Sequence, residues 1–222
     1  WSSKRNRWAD WNQAKRHRSC QSYYPKSRER RYFGQALRKL EDIKTVKLEE
    51  VVDFQNGKAH EQFIKDIGKY KVINSKFVSS DGKKFKYSDK AIIPLSKDDV
   101  VMVMSDVPNG KTIAKCFFVD SDNIYTLNQR VGLFRSKDTN ILLQKFLFYQ
   151  LNRNKQLLDY DNGQSQTNLR KEQILSIDFI IPSLEIQKKF VAEAEKEQQI
   201  INANKQLIEI YDQKIDDVLS EI

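Results

Sequence analysis

The stretch SLEIQKKFVAEAEKEQQIINANKQLIEIYDQKIDDVLSEI, residues 183–222, decides how this chain is built. It follows Pro182, the last proline of the sequence, and contains neither proline nor glycine. Nothing in it therefore breaks a helix. Stepping alternately by four and three from Phe190 gives Ala194, Glu197, Ile201, Asn204, Ile208, Tyr211, Ile215, Val218 and Ile222. Ile201, Ile208, Ile215 and Ile222 recur every seventh residue, the spacing of a seam that packs helix on helix. At 1.5 Å per residue the helix would run roughly 60 Å, more than a globular core requires. An apolar edge of that length calls for a mate, so the sequence predicts a coiled-coil dimer along Ala194, Ile201, Asn204, Ile208, Tyr211, Ile215, Val218 and Ile222. Polar Glu197 and Asn204 within the seam suit the fixing of register and partner. The simpler alternative is an amphipathic helix packed on its own domain.

Upstream of the helix the period changes. The chain of 222 residues carries a formal net charge of +9, and its hydrophobic content of 39% is enough for a core. The charge is concentrated: residues 1–40 hold twelve Lys and Arg against Asp10 and Glu29, all three tryptophans, and eight of the twelve arginines. This basic arm could bind nucleic acid through phosphate contacts and stacking, or be a disordered or non-native extension. From Glu41 onward short apolar runs alternate with turn residues. Val46–Phe54 reads as a strand entering a short turn or helix, and Lys71–Ile73 as a strand. Asp81-Gly82 reads as the turn of a hairpin within 75–87, and Ala91–Leu95 and Val100–Met104 as buried strands. Ile113–Asp120 and Tyr125–Arg135 read as further strands, 140–158 as a helix, Leu169–Ile174 as a helical turn capped by Asn168, and Ile177–Ile181 as a last strand. The predicted fold class is α+β: a β-rich domain over 41–182, then one long coiled-coil helix over 183–222.

Chemistry is hard to find. Phosphate-cradling glycine loops and nucleophile elbows are missing from the sequence, and His17 and His60 have no persuasive partners. Cys20 and Cys116 lie far apart, which fits a reducing interior rather than a disulfide framework. No apolar run reaches the length of a membrane span. Asp42-Ile43-Lys44 resembles half of a metal-dependent nuclease site, and Glu49, Glu50 and Asp53 read as a solvated acidic face. The sequence therefore predicts no catalytic residue, no metal site and no cofactor.

The C-terminal third carries a resemblance. Gly163-Gln164-Ser165-Gln166-Thr167-Asn168-Leu169, then Ile180-Ile181-Pro182-Ser183-Leu184-Glu185-Ile186-Gln187 and the long helix, resemble the specificity subunit of type I restriction–modification enzymes. Ser183 stands where that family usually has a second proline. Val46–Val51, Phe54–Lys58, Val101–Gly110 and Leu127–Gly132 resemble the opening and middle of its target-recognition domain, so that the likeness covers about 45–222. The resemblance implies a non-catalytic, cytoplasmic subunit that binds double-stranded DNA and directs partners. Those partners are modification subunits that methylate adenine with S-adenosylmethionine and restriction subunits that use ATP and Mg2+. Family members usually carry two recognition domains separated by two antiparallel helices. One domain and one helix resemble a half subunit that dimerises, or half of a longer chain.

On that reading Lys76, Lys83, Lys84, Lys86 and Lys111 are the expected phosphate contacts, and Asn74, Asn109, Arg130, Gln164 and Gln166 the candidate base readers. Gln164–Asn168 equally fit a bracing role, since a motif shared by proteins with different targets is poorly suited to choosing bases. The competing reading is a protein-interaction module with an incidental basic arm; a third is a nuclease fragment near Asp42.

Overall fold

The computed structural model describes residues 44–107, 111–161 and 166–220. The basic arm, Asp42, Asn109, Gln164 and Ile222 lie outside the described residues. Two compact units divide the chain, with the boundary inside the long helix at Glu195/Lys196.

The larger unit begins with strand β1 (Lys44–Lys47), a single helical turn α1 (Leu48–Val51) and β2 (Val52–Asn56). After a 3-10 turn (Glu61–Phe63) come β3 (Ile64–Lys65), β4 (Tyr70–Ile73), helix α2 (Ser75–Ser79) and β5 (Lys86–Ser88). Then follow β6 (Val100–Val103), β7 (Ser105–Asp106), β8 (Cys116–Phe118), β9 (Tyr125–Leu127) and β10 (Val131–Ser136). Helices α3 (Gln144–Leu151) and α4 (Lys155–Leu158), β11 (Thr167–Asn168), α5 (Lys171–Leu175) and β12 (Asp178–Ile181) lead into α6 (Leu184–Ser220). The fold is α+β, as the alternation of short strands followed by one long helical stripe predicts.

One antiparallel sheet, in the order β2-β10-β6-β8, is the middle layer. Its central strands are buried throughout Val100–Val103 and Val131–Phe134 because both faces are covered there, and β10 turns polar only at Arg135 and Ser136. Val100 and Met102 of β6 and Phe134 of β10 face a core shared with Phe146, Leu147 and Leu151 of α3. Val101, Val103, Val131 and Leu133 face a second core with Ile73, Phe77, Tyr125 and Leu127. That second core belongs to the other four-stranded sheet, β3-β5-β4-β9, in which β4 and β9 run parallel. β1 pairs with β12, and β7 with β11.

Several local expectations are corrected. Asp81 and Gly82 do turn the chain, both at positive φ, but the first arm of the expected hairpin is helix α2. The Asn74 carboxamide accepts from Phe77 N at 2.9 Å and caps that helix, while Phe77 and Val78 are buried beneath it. β5 pairs instead with β3 and β4. The residues 91–95 form no strand beyond one bridge at Pro94, although Ile93 and Leu95 are buried. The strand expected over 125–135 is two, broken at Asn128–Arg130. The helix expected over 140–158 is also two, because Arg153 takes φ +55° and Asn154 caps α4 by accepting from Gln156 N. Asn168 lies in β11, and the cap of α5 is Arg170.

Candidate nucleic-acid interface

Five sequence segments that lie far apart meet along one rim of the larger unit. Gly57 N donates to Val131 O at 3.0 Å and Lys58 N to Leu127 O at 3.1 Å, which lays residues 57–58 against the turn Asn128–Arg130. That turn is clamped on several sides. Asn128 N donates to Ile73 O, Val131 N to Asn128 O, Arg130 N to the Asn128 Oδ1, and Met104 N to Arg130 O. An added Cβ on Gly57 would stand 2.0 Å from Asn128 O, so only glycine allows the approach. Next along the rim, Ser105–Asp106 pairs with Thr167–Asn168, Leu169 N donates to Met104 O, and Gln166 Nε2 donates to Ser105 Oγ at 2.9 Å. Ser75 Oγ donates to Ser105 O at 3.2 Å, which joins the start of α2 to the same place.

The candidate base readers therefore converge. Asn74, Arg130 and Gln166 all belong to this rim, and Arg130 and Gln166 are exposed. Their freedom differs. Asn74 has its carbonyl oxygen committed to the α2 cap, so a bidentate grip on adenine would break that cap. Gln166 donates to Ser105 Oγ and, at 3.3 Å, to Asn168 Oδ1, which is the bracing geometry considered for this motif. Gln129, beside Arg130, is exposed at the tip of the clamped turn. Gln129 is not among the residues the sequence singles out, because the turn at 128–130 lies inside a stretch that reads as one strand, from which only Arg130 is taken as a candidate.

The expected phosphate contacts form the neighbouring surface. Lys76 sits on α2, and Lys83, Lys84 and Lys86 follow the Asp81-Gly82 turn at its C-terminal end; all four are exposed. α2 is a turn and a half long, roughly 7 Å, and so links the rim to the lysines. Lys71 Nζ lies 4.6 Å over the Phe85 ring, which meets Tyr87 edge-on at 5.1 Å. Beneath the turn the Lys115 ammonium reaches Asp81 at 2.8 Å. Lys111 is exposed, and its carbonyl accepts from Arg153.

Among the described residues no cluster of three or more His, Cys, Asp or Glu could hold a metal, and no helix is long and apolar enough to cross a membrane. His60 is fully buried; its Nδ1 lies 2.7 Å from Lys58 O and its Nε2 2.8 Å from Thr126 Oγ1. A carbonyl can only accept, so Nδ1 carries hydrogen and the ring is a structural tie between β9 and the 57–60 loop. The Cys116 thiol is buried, and burial pushes its pKa well up, the opposite of a nucleophile.

At the root of the long helix, Gln187 is fully buried. Its Nε2 donates to Ile141 O and Pro182 O, and its Oε1 accepts from Leu143 N. Phe190 packs edge-on against Phe146 and Tyr149, so the first residue of the predicted seam is used by its own domain. Beyond it Ile208, Tyr211, Ile215 and Val218 are exposed, Ile208 at 61%. Ala194 and Ile201 are half-buried, and Asn204 is exposed. Ile200, Leu207, Ile210 and Leu219, outside the seam, are exposed as well.

The comparisons agree with this architecture. The sequence profile of the type I restriction modification DNA specificity domain matches residues 40–210, well over half of the chain. The fold resembles the crystal structure of a type I restriction-modification S subunit from M. genitalium, with a TM-score of 0.60 at 16% identity over 76% of this chain and 42% of that one. It also resembles the HsdS subunit from Thermoanaerobacter tengcongensis, with a TM-score of 0.57 at 16% identity over 79% and 47%. A third likeness is to a chain from a study of complex assembly and conformational transition of the type I R-M system, with a TM-score of 0.59 at 15% identity over 81% and 49%. The chain spans less than half the length of each of these structures. No curated protein matches. With its β-rich domain, its Gln187-rooted helix and a profile match across both, this chain belongs to the type I restriction–modification DNA specificity family.

Proposed function

We propose that this chain is a sequence-reading subunit that performs no chemistry itself and delivers partner enzymes to DNA. The observation that carries the reading is the convergence of Arg130, Gln166 and the clamped 128–130 turn beside the exposed lysines of the 76–86 segment. Lysines there neutralise phosphates and set position, while the rim, with Gln129 and Arg130 at its tip, faces base edges. A turn with its backbone groups already bonded gives up little freedom on binding.

In this proposal two copies pair through the apolar edge of α6 from Ala194 onward and present two recognition domains to a bipartite target. Modification subunits would supply adenine methylation from S-adenosylmethionine, and restriction subunits would supply ATP- and Mg2+-dependent cleavage, in the cytoplasm. The decisive experiment is methylation-site mapping in cells that carry this chain with its neighbouring methyltransferase. One bipartite motif, lost when the chain is deleted, supports the reading. Unchanged methylation sinks it, and metal-dependent cleavage by the purified chain alone would make it an enzyme instead. The exposed apolar face of α6 also fits a protein-interaction module. That reading predicts duplex binding that ignores sequence and vanishes with residues 1–40.

A further inference from the structure

We propose that Lys115 is a positioning residue for DNA contact, its buried ammonium pairing the half-exposed Asp81 carboxylate from below and so clearing the lysine surface of its own counter-charge. The proposal rests on the reading of Lys84 and Lys86 as phosphate contacts. Lys115 stands just before β8 and is only 7% exposed, a rare setting for a lysine unless it is paired. Its Nζ lies 2.8 Å from Asp81 Oδ1 and 3.4 Å from Ser79 O.

Asp81 is the only acidic residue between Ile67 and Ser88, a span that contains Lys69, Lys71, Lys76, Lys83, Lys84 and Lys86. Its side chain is half exposed, so its charge reaches the solvent in which phosphates would approach. Asp81 and Gly82 both adopt positive φ, +51° and +81°, and a neutral asparagine would make the same turn. The carboxylate is therefore an addition that the backbone does not require. Unpaired, it would attract the neighbouring ammonium groups and repel phosphate. Paired from below by Lys115, it does neither, and Lys84 and Lys86 keep their charge for the duplex.

The test compares the full chain with three variants by duplex-binding titration across salt concentrations, with urea midpoints measured alongside. Lys115→Met frees Asp81 and is expected to weaken binding about tenfold at low salt, and to flatten the log–log salt slope by about one, the share of a single phosphate contact. Adding Asp81→Asn to Lys115→Met removes the freed charge and is expected to restore the affinity and slope. Both variants lack the same anchor, so a merely structural role predicts that both bind equally weakly. Lys84→Glu is the control for the reading beneath. If Lys84→Glu weakens binding but Lys115→Met does not, or if the double variant stays as weak as the single, the proposal is overturned alone. If Lys84→Glu binds like the wild type, the lysine-turn reading falls and takes this one with it. Should Lys115→Met fail to fold, Asp81→Asn alone is expected to bind at least as tightly as the wild type, and a tenfold loss would overturn the proposal.

Discussion

Glutamine side chains act as short lengths of strand in this protein. Gln150 donates to Ile180 O and accepts from Ile180 N, and Gln156 does the same for Asp178, so the free edge of β12 is paired by α3 and α4. Gln144 repeats the device at the end of β10, between Phe134 O and Ser136 N. Gln187 is the buried member of the group. Its replacement by leucine would leave Leu143 N, Ile141 O and Pro182 O without the side chain that pairs them, and each orphaned group costs about 1–3 kcal/mol. The urea midpoint is expected to fall accordingly; an unchanged midpoint would show that water replaces the amide there. Gly57→Ala forces Cβ into Asn128 O and is expected to cost about 1–3 kcal/mol, read in the same way. Tyr125 supplies a pH signature. Burial, then its hydrogen bond to Asp120 and the charge of that carboxylate, push the phenol from 10.0 to about 12. The folded state thus favours the protonated ring. The stability this supplies is intact below pH 10 and lost as pH rises toward about 12. Stability of Tyr125→Phe is expected to fall less steeply than that of the wild type over that interval. The ties of Gln150, Gln156 and Gln187 to β12 and to the 141–143 segment were not visible in the sequence, since they join residues 22 to 46 positions apart.

At the scale of elements, periodicity read some parts well and misread others. The apolar run of β6 announced a buried strand because a layer covered on both faces leaves no polar alternation to find. The hairpin expected around Asp81-Gly82 failed because a capped helix of five residues is too short to declare a period, and Asn74 makes its cap with a side chain that reads equally as a turn residue. The long helix was legible from its seven-residue recurrence. Its first seam residue was not, since Phe190 answers to Phe146 and Tyr149, and the sequence gives no sign of where the domain stops claiming the stripe. Ile208→Asp is expected to abolish self-association while leaving the domain's urea midpoint unchanged, because it places a charge in the exposed apolar edge. Sedimentation that finds the same oligomer would end the seam assignment. Ile200, Leu207 and Ile210 lie off that seam and stay exposed, so a two-stranded pairing leaves part of the apolar surface uncovered.

For the molecule as a whole, the family could be identified from the sequence but the rim could not. Residues near 57, 74, 105, 130 and 166 become neighbours only through the order of the sheets and the pairing of β7 with β11. The lysine surface was easier to foresee, because Lys83, Lys84 and Lys86 are nearly consecutive. A salt titration on duplex DNA is expected to give a linear log–log plot with a slope near −0.9 per phosphate engaged, reduced by about one in Lys86→Ala; an unchanged slope would remove Lys86 from the interface. β1 and β12 lie side by side in register, Lys44 opposite Ile181. The polypeptide thus leaves the β-rich domain a strand's width from where it came in. A segment closed off in this way can be exchanged as a cassette, with both splice points at one place, provided that the replacement keeps the backbone groups near 141–143 that Gln187 of the helix ties down. On the proposed function, a single replacement of 44–181 would then change the DNA preference at one stroke rather than by gradual change of the rim.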